Sequence, residues 1–575
     1  MEKINNILDK IMTNNKIMLL FFIIVGIVLS NYWRYEVTSD FFNYHYFIPW
    51  AFFHDRTFVD VAVAMENSYH NPLIEFPEYF LIKYFNDHIP VIYSFNGILF
   101  GFLVFAFYKL IQLVFDTHEI LQKTQIILTM ILIYGGFGLI SQVGTSSNEI
   151  SVTIGVLVSL YLLYKEIFIY QKERLAVFFI AGVILGAMLG LKLTIVIYCV
   201  SSGATLIIFY PMFKHPIKVV LWFALGGFCG FCLTHGYWSY ILYQNMGNPF
   251  FPYLNNIFKS PYYADKFLSY SSFYQKNSFW DYFVFPYLAS FQKDVIITSE
   301  VYMIDARLAI GQTLFFIVLM VLLIKRNLKS AIQQNKNIIF LVLFTIISYL
   351  VWLQLFSIIR YAIPIEMLIS LFIVKWVSSL RAKSLIATSL LGTLYIMLAY
   401  ALFYGFPYFS WGDRKLDDKM MEFEKVVLPK DTLIMAISPG VGLAASHLIE
   451  SNPTAIVANE TSSFTIPGEF FYKKIEELKE KSPYIVYILS LKTMVREIDK
   501  YTPIDFVEND NIKEVFSNLH YIIKTELKRE NFYCRAINLD HSFLKTFICI
   551  DKKDKEFIFP EIRKKKLYWN KNLSK

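Results

Sequence analysis

Charge is scarce in this sequence. Only 17% of its 575 residues are Asp, Glu, Lys or Arg, against about 25% in soluble domains, which argues against an ordinary water-soluble globule. Cysteine is rare too, with five in the chain. Cys199, Cys229 and Cys232 fall in apolar runs and read as packing residues. Cys534 and Cys549 fall in a polar C-terminal stretch and could bridge if that stretch lies outside the cytoplasm. The sequence holds no glycine-rich phosphate loop and no dinucleotide fingerprint, so use of a cytosolic nucleotide is not expected. No pair of histidines stands at a zinc-ligand spacing, and neither an internal repeat nor a low-complexity segment is present. The first apolar run ends at Ser30-Asn31-Tyr32-Trp33, without a good small-residue cleavage site, and reads as an uncleaved signal anchor.

Apolar runs are what the sequence has in quantity: 56% of residues are hydrophobic and 18% aromatic. A spanning helix needs about 20 such residues for a hydrocarbon core about 30 Å thick. Eleven runs qualify as candidates: 17–33, 91–115, 125–143, 149–169, 175–191, 193–211, 218–240, 308–324, 337–357, 362–379 and 384–404. The fifth and sixth, parted only by Lys192, read as a tight hairpin or one broken helix. The net charge of +8 is carried in short segments between runs and in the tail Arg563-Lys564-Lys565-Lys566. That is the positive-inside pattern, not a nucleic-acid stripe. With Lys3, Lys10 and Lys16 inside, the cytoplasmic loops carry Lys165, Lys172 and Arg174; Lys214 and Lys218; Lys325, Arg326, Lys329 and Lys336; and Lys375, Arg381 and Lys383. An odd number of spans then puts the C-terminus outside.

The expected fold is therefore an all-α polytopic membrane bundle over residues 1–404 with a small α/β extracytoplasmic domain over 405–575. Large outer loops run over about 35–90 and 240–307. The C-terminal region alternates strand-like runs (Thr432 to Ile437, Tyr484 to Leu489, Thr546 to Ile550) with charged helical ones (Phe470 to Lys481, Lys492 to Lys500).

The residues able to carry chemistry map to the outer face under this topology. Asp40 opens the first outer loop, ahead of the aromatic run Phe41-Phe42-Asn43-Tyr44-His45-Tyr46-Phe47, which is expected to lie along the membrane surface. Asp40 is either a helix N-cap or an acid that takes a proton from a hydroxyl or holds a divalent cation. His45 is an interfacial histidine or a substrate contact. The double-proline stretch Asn71-Pro72-Leu73-Ile74-Glu75-Phe76-Pro77 reads as a structural turn. Glu149, after Gly144-Thr145-Ser146-Ser147-Asn148, is a helix cap or a second acidic site residue. Lys192 either snorkels or binds phosphate. Arg307 and Arg360 suit phosphate oxygens, or are spent in salt bridges with Asp305 or Glu366. Tyr361 adjoins Arg360.

Several segments carry a resemblance: Asp40-Phe41-Phe42-Asn43-Tyr44-His45-Tyr46, Asn71-Pro72-Leu73, Gly144-Thr145 with Asn148-Glu149, Gly190-Leu191-Lys192-Leu193-Thr194, Gly247-Asn248-Pro249 with Phe258-Lys259-Ser260-Pro261, and Phe356-Ser357-Ile358-Ile359-Arg360-Tyr361. Together, over about residues 35–415, they resemble a bacterial subgroup near the GT-C superfamily of membrane glycosyltransferases. The resemblance implies an inner-membrane enzyme with its active face and C-terminus extracytoplasmic. It would move sugar from a polyprenyl-phosphate donor to a glycan, lipid or protein acceptor. Asp40 and Glu149 would be catalytic, and His45, Lys192, Arg307, Arg360 and Tyr361 would bind substrate. Many GT-C members carry an adjacent acidic pair where this chain has Ser39-Asp40, so a divalent metal stays open as a cofactor. The expected partners are the lipid-linked sugar and membrane lipids, with no nucleic acid. The competing readings are a transporter or flippase of lipid-linked glycans, and a surface-polysaccharide polymerase or ligase.

Overall fold

The computed structural model describes residues 9–33, 36–37, 40–115, 120–265, 274, 276, 278–291, 305–324, 326, 328–379, 413–414, 425–437, 440–459, 470–492, 532–537 and 544–551. Most of these are helical. Among the described residues, seven helices are long and apolar enough to cross a membrane: Asn15–Trp33, Ile89–Val114, Glu149–Tyr170, Pro216–Met246, Arg307–Ile324, Lys336–Leu355 and Ile359–Ser378. Two shorter apolar helices, Leu175–Leu191 and Leu193–Ile208, join them. The apolar side chains that make these runs would be costly in water, and their backbone groups are satisfied within each helix, the condition for crossing lipid.

The count of eleven spans is not reproduced among the described residues. The run expected at 125–143 breaks after Ile120–Tyr134, passes through Gly135 and Gly136, and resumes as the short helix Phe137–Ser141. Two glycines in succession weaken a helix by roughly 1 kcal/mol each, and side chains take the freed backbone groups, as described below. The expected span 384–404, the helical run after Lys492 and the basic tail lie outside the described residues.

By packing, the chain divides into two compact units that are not sequential. A membrane-helix unit takes Met1–Tyr35, Tyr93–Trp238 and Ser269–Trp411; a sheet-bearing unit takes Glu36–Ile92, Ser239–Leu268 and Gly412–Lys575. The first expected outer loop and the second as far as Leu268 thus fall in the same unit as the C-terminal region.

The sheet-bearing unit has strands β1 (Glu36–Val37), β2 (Asp413–Arg414), β3 (Leu433–Ala436), β4 (Ile456–Asn459), β5 (Ile485–Lys492), β6 (Phe532–Ile537) and β7 (Leu544–Asp551). β1 and β2 form a small antiparallel pair; the other five form one sheet in the order β4-β3-β5-β7-β6. β3 pairs in parallel with β4 and β5, with helices Gly442–Ser451 and Phe470–Lys481 in the crossovers. β7 pairs antiparallel with β5 and β6, which sets Cys534 directly across from Cys549. Cys549 is disulfide-bonded.

The first loop completes this unit. Val61 bridges to the edge strand β4 at Ala458, with Val61 N donating to Val457 O at 2.8 Å. Arg56 forks onto Asp60 at 2.9 and 2.6 Å and reaches Ala455 O at 2.7 Å, while Asp60 accepts from Val457 N at 2.8 Å. An exposed sheet edge invites unwanted pairing, and this loop covers it. Gly440 N donates to Asn43 Oδ1 at 3.3 Å. A side chain at Gly442 would meet Asn43 O at 1.9 Å, so only glycine lets the two backbones touch. The aromatic run expected at the membrane surface is instead core: Phe41, Phe42, Phe47 and Trp50 are buried. They pack where the segment 41–53 meets Gly442–Ser451, and Trp50 Nε1 donates to Glu450 Oε1 at 2.8 Å.

Candidate functional site

Three breaks in the membrane-helix unit bring charges together. Glu149 is the first residue of a helix that follows the hydroxyl-rich turn Thr145-Ser146-Ser147-Asn148. Lys192 is the one extended residue between Leu175–Leu191 and the helical turn that follows. Arg360 and Tyr361 lie on the 3-10 turn Ile359–Ala362, which enters the last described membrane helix. Lys192 Nζ donates to Glu149 Oε1 at 2.6 Å, and Arg360 Nε stands 3.6 Å from the same oxygen. Both cations also lie over the Tyr361 ring, at 5.7 and 5.6 Å from its centroid. Tyr198 fixes that turn, its hydroxyl donating to Tyr361 O at 2.5 Å. The Glu149 side chain is 3% exposed, Arg360 10% and Lys192 19%. Two cations therefore converge on one buried carboxylate and one aromatic ring.

Arg307 has a different setting. Its Nε donates to Asp305 Oδ1 at 2.9 Å and its Nη2 to Asp305 Oδ2 and to Glu366 Oε1, the latter at 2.6 Å. The same guanidinium bonds Leu132 O at 3.1 Å and Gly135 O at 2.9 Å. The carboxylates take the amides on the far side of the break: Phe137 N donates to Asp305 at 3.3 Å, Gly138 N and Leu139 N to Glu366 at 3.2 and 2.9 Å. A Cβ on Gly136 would lie 2.8 Å from Arg307 Nη1. Burial opposes an ionised Asp305, and the Arg307 guanidinium outweighs it, so the carboxyl sits below the usual carboxylate range. This is a clasp that repairs a broken helix. The phosphate contact expected of Arg307 is replaced by the salt-bridge alternative, because its guanidinium is occupied by two carboxylates and two carbonyls.

No family model matches this sequence, and no curated protein does.

Asp40 and His45 belong to the sheet-bearing unit. Asp40 has helical backbone angles and makes no side-chain capping bond, so the N-cap alternative does not describe it. The five residues after it, Phe41–His45, form a π-helix, a rare turn that often marks functional positions. His45 is held by Glu75: Nδ1 and Oε1 are 2.8 Å apart, with the two side chains 3% and 6% exposed. Glu75 ends the turn Pro72–Glu75, whose start is fixed by Asn71 Oδ1 accepting from Leu73 N at 3.1 Å. Burial alone pushes the Glu78 carboxyl, one turn on, up to about 8, and burial drives the His447 imidazole down to about 4. Among the described residues no group of three or more His, Cys, Asp or Glu could hold a metal ion.

Sequence reasoning found Glu149, Lys192, Arg360 and Tyr361 as separate candidates, and the structure brings these four together. It missed Glu75 as the partner of His45. The signal available was a lone acid between two prolines.

Proposed function

We propose that this protein is a membrane glycosyltransferase that takes a sugar from a polyprenyl-phosphate carrier and passes it to a hydroxyl acceptor outside the cytoplasm. What supports this is that Lys192 and Arg360 converge on Glu149 and on the Tyr361 ring at the ends of apolar helices. Two cations side by side suit the oxygens of a phosphodiester. When the sugar leaves, the lipid phosphate gains charge, and fixed cations in a dry site stabilise it most at that moment. In this reading Glu149 is the counter-ion that holds both cations in place before the lipid arrives. Tyr361 presents an aromatic face between them. The carrier's tail stays in the bilayer, as the apolar helices around the cluster allow.

Asp40 is the carboxylate assigned to the acceptor. A hydroxyl is a poor nucleophile, and a positioned base contributes about 10²–10⁴-fold. The resemblance implies the bacterial inner membrane, the Lys and Arg bias of the loops supports the extracytoplasmic side, and the disulfide at Cys549 agrees with an oxidising compartment.

A transporter of lipid-linked glycans is favoured by one observation, the broken helix at Gly135-Gly136, since broken helices build transporter sites. Here the freed groups described above are met by Arg307, Asp305 and Glu366 instead of being offered to a cargo. Purified protein in proteoliposomes with a polyprenyl-phosphate sugar separates the two. The enzyme forms a glycosylated product, and Asp40→Asn abolishes it while membrane insertion is kept. Movement of labelled lipid without product, or full transfer by Asp40→Asn, would reject the reading.

A further inference from the structure

The sheet-bearing unit holds a second polar arrangement, away from the cationic cluster in the sequence and unlike it in chemistry. Glu75, read as a carboxylate, can only accept, so the proton of a neutral His45 sits on Nδ1. His45 Nε2 is then an acceptor. Both Nε2 and Glu75 Oε2 are buried, and among the described residues neither has a hydrogen-bond partner. Buried polar atoms left unsatisfied cost roughly 1–3 kcal/mol each, and such atoms in a native fold call for an explanation. Two buried acceptors want a partner that donates, as a hydroxyl does and a fully ionised phosphate does not.

Rings stand beside them. Tyr44 lies 4.2 Å from His45 and 6.0 Å from His70, centroid to centroid, and His70 Nε2 is 3.0 Å from the Tyr253 hydroxyl. Tyr44, His70 and Tyr253 are half-buried, so this row reaches the surface. The second loop is built to present Tyr253. Asn248 Nδ2 donates to Tyr253 O at 2.9 Å, and the fully buried Asn255 ties the same loop to Ser260 O and Tyr263 O at 3.0 and 2.7 Å. Aromatic faces pack the C–H side of a pyranose, while acceptors take its hydroxyls.

We infer that His45 Nε2 and Glu75 Oε2, with the Tyr44–His70–Tyr253 row, form a binding site for a neutral sugar through its hydroxyl groups. The site is distinct in chemistry from the lipid-phosphate cluster and does not depend on sugar transfer.

Saturation-transfer NMR on the full chain in nanodiscs tests it, with glucose, galactose, mannose, N-acetylglucosamine and rhamnose as separate probes and inorganic phosphate as a control. At least one sugar is expected to bind in the millimolar range, with no effect of phosphate. Glu75→Gln removes an acceptor and lets the imidazole tautomer change, and should weaken binding about tenfold or more. Tyr44→Leu, at a half-buried position that the fold tolerates better, should weaken it by about the same factor. If none of the five sugars binds, or if both variants bind as wild type does, the arrangement encloses a water only and the inference fails. Because no transfer is measured, either failure leaves the reading of the cationic cluster standing.

Discussion

Two groups of buried charge in the membrane-helix unit use the same residue types and arrive at opposite ends. Around Arg307, one guanidinium meets two carboxylates, two carbonyls and the amides of residues 137–139. Every contact is internal, and the result is a strut across a helix break. Around Glu149, one carboxylate holds two cations, one of them only at 3.6 Å. That arrangement gathers two cations at the ends of apolar helices. Charge in an apolar setting is thus not informative by itself. What the charged groups hold, the backbone of a broken helix in one case and a pair of neighbouring cations in the other, separates a support from a candidate site.

The comparison can be broken most directly at Arg307. Arg307→Ala would leave Asp305 and Glu366 buried together without their cation, a loss on the order of 3–5 kcal/mol. The expected outcome is a collapse in folded yield and melting temperature in detergent, whatever lipid is present. Wild-type melting in that variant would dismiss the strut.

A smaller effect is expected at the other group, and on a different measurement. Arg360→Ala and Lys192→Gln should each keep melting within a few degrees of wild type. Each should weaken binding of a polyprenyl phosphate by roughly 10–100-fold, the worth of one charge-assisted hydrogen bond. Equal loss of fold and binding in these variants would merge the two groups into one structural class.

The finest test uses another buried carboxyl, in the sheet-bearing unit, with no ion pair among the described residues. Burial lifts Glu78 to about 8, above its unfolded value of about 4.5. The folded state thus holds a proton that the unfolded chain releases. This contribution to stability is complete below about pH 4.5 and is lost as pH rises through about 8. Glu78→Gln stays neutral throughout, so its melting temperature should gain on wild type between pH 5 and pH 9. A constant gap across that range would show that Glu78 carries its charge with a hidden partner.

Much of this was readable before any coordinates. Six of the seven long membrane helices coincide with apolar runs to within a few residues at each end, and the seventh, Pro216–Met246, covers its run and extends beyond it. Three strands and the helix Phe470–Lys481 fall where alternation and charge put them. Glu149, Lys192 and Arg360 stood out because ionisable residues at the edges of apolar runs are rare. What could not be read is contact across distance. Nothing near His45 names Glu75, 30 positions away. The break at Gly135-Gly136 is hidden because the flanking residues are as apolar as any span. The aromatic run 41–50 looks the same whether it faces lipid or a protein core, and only its partner helix, 400 residues downstream, decides.

That separation governs how the molecule must be made. Asn43 and Gly440 bond across 397 positions, and ribosomes add about 5–20 residues per second. The first loop therefore waits roughly 20–80 s before its partner helix is made. Throughout that interval Phe41, Phe47 and Trp50 have no cover of their own. A chain stopped short of the helix Gly442–Ser451 would present them as a sticky surface, so quality control can judge the growing polypeptide by whether its earliest loop has been hidden.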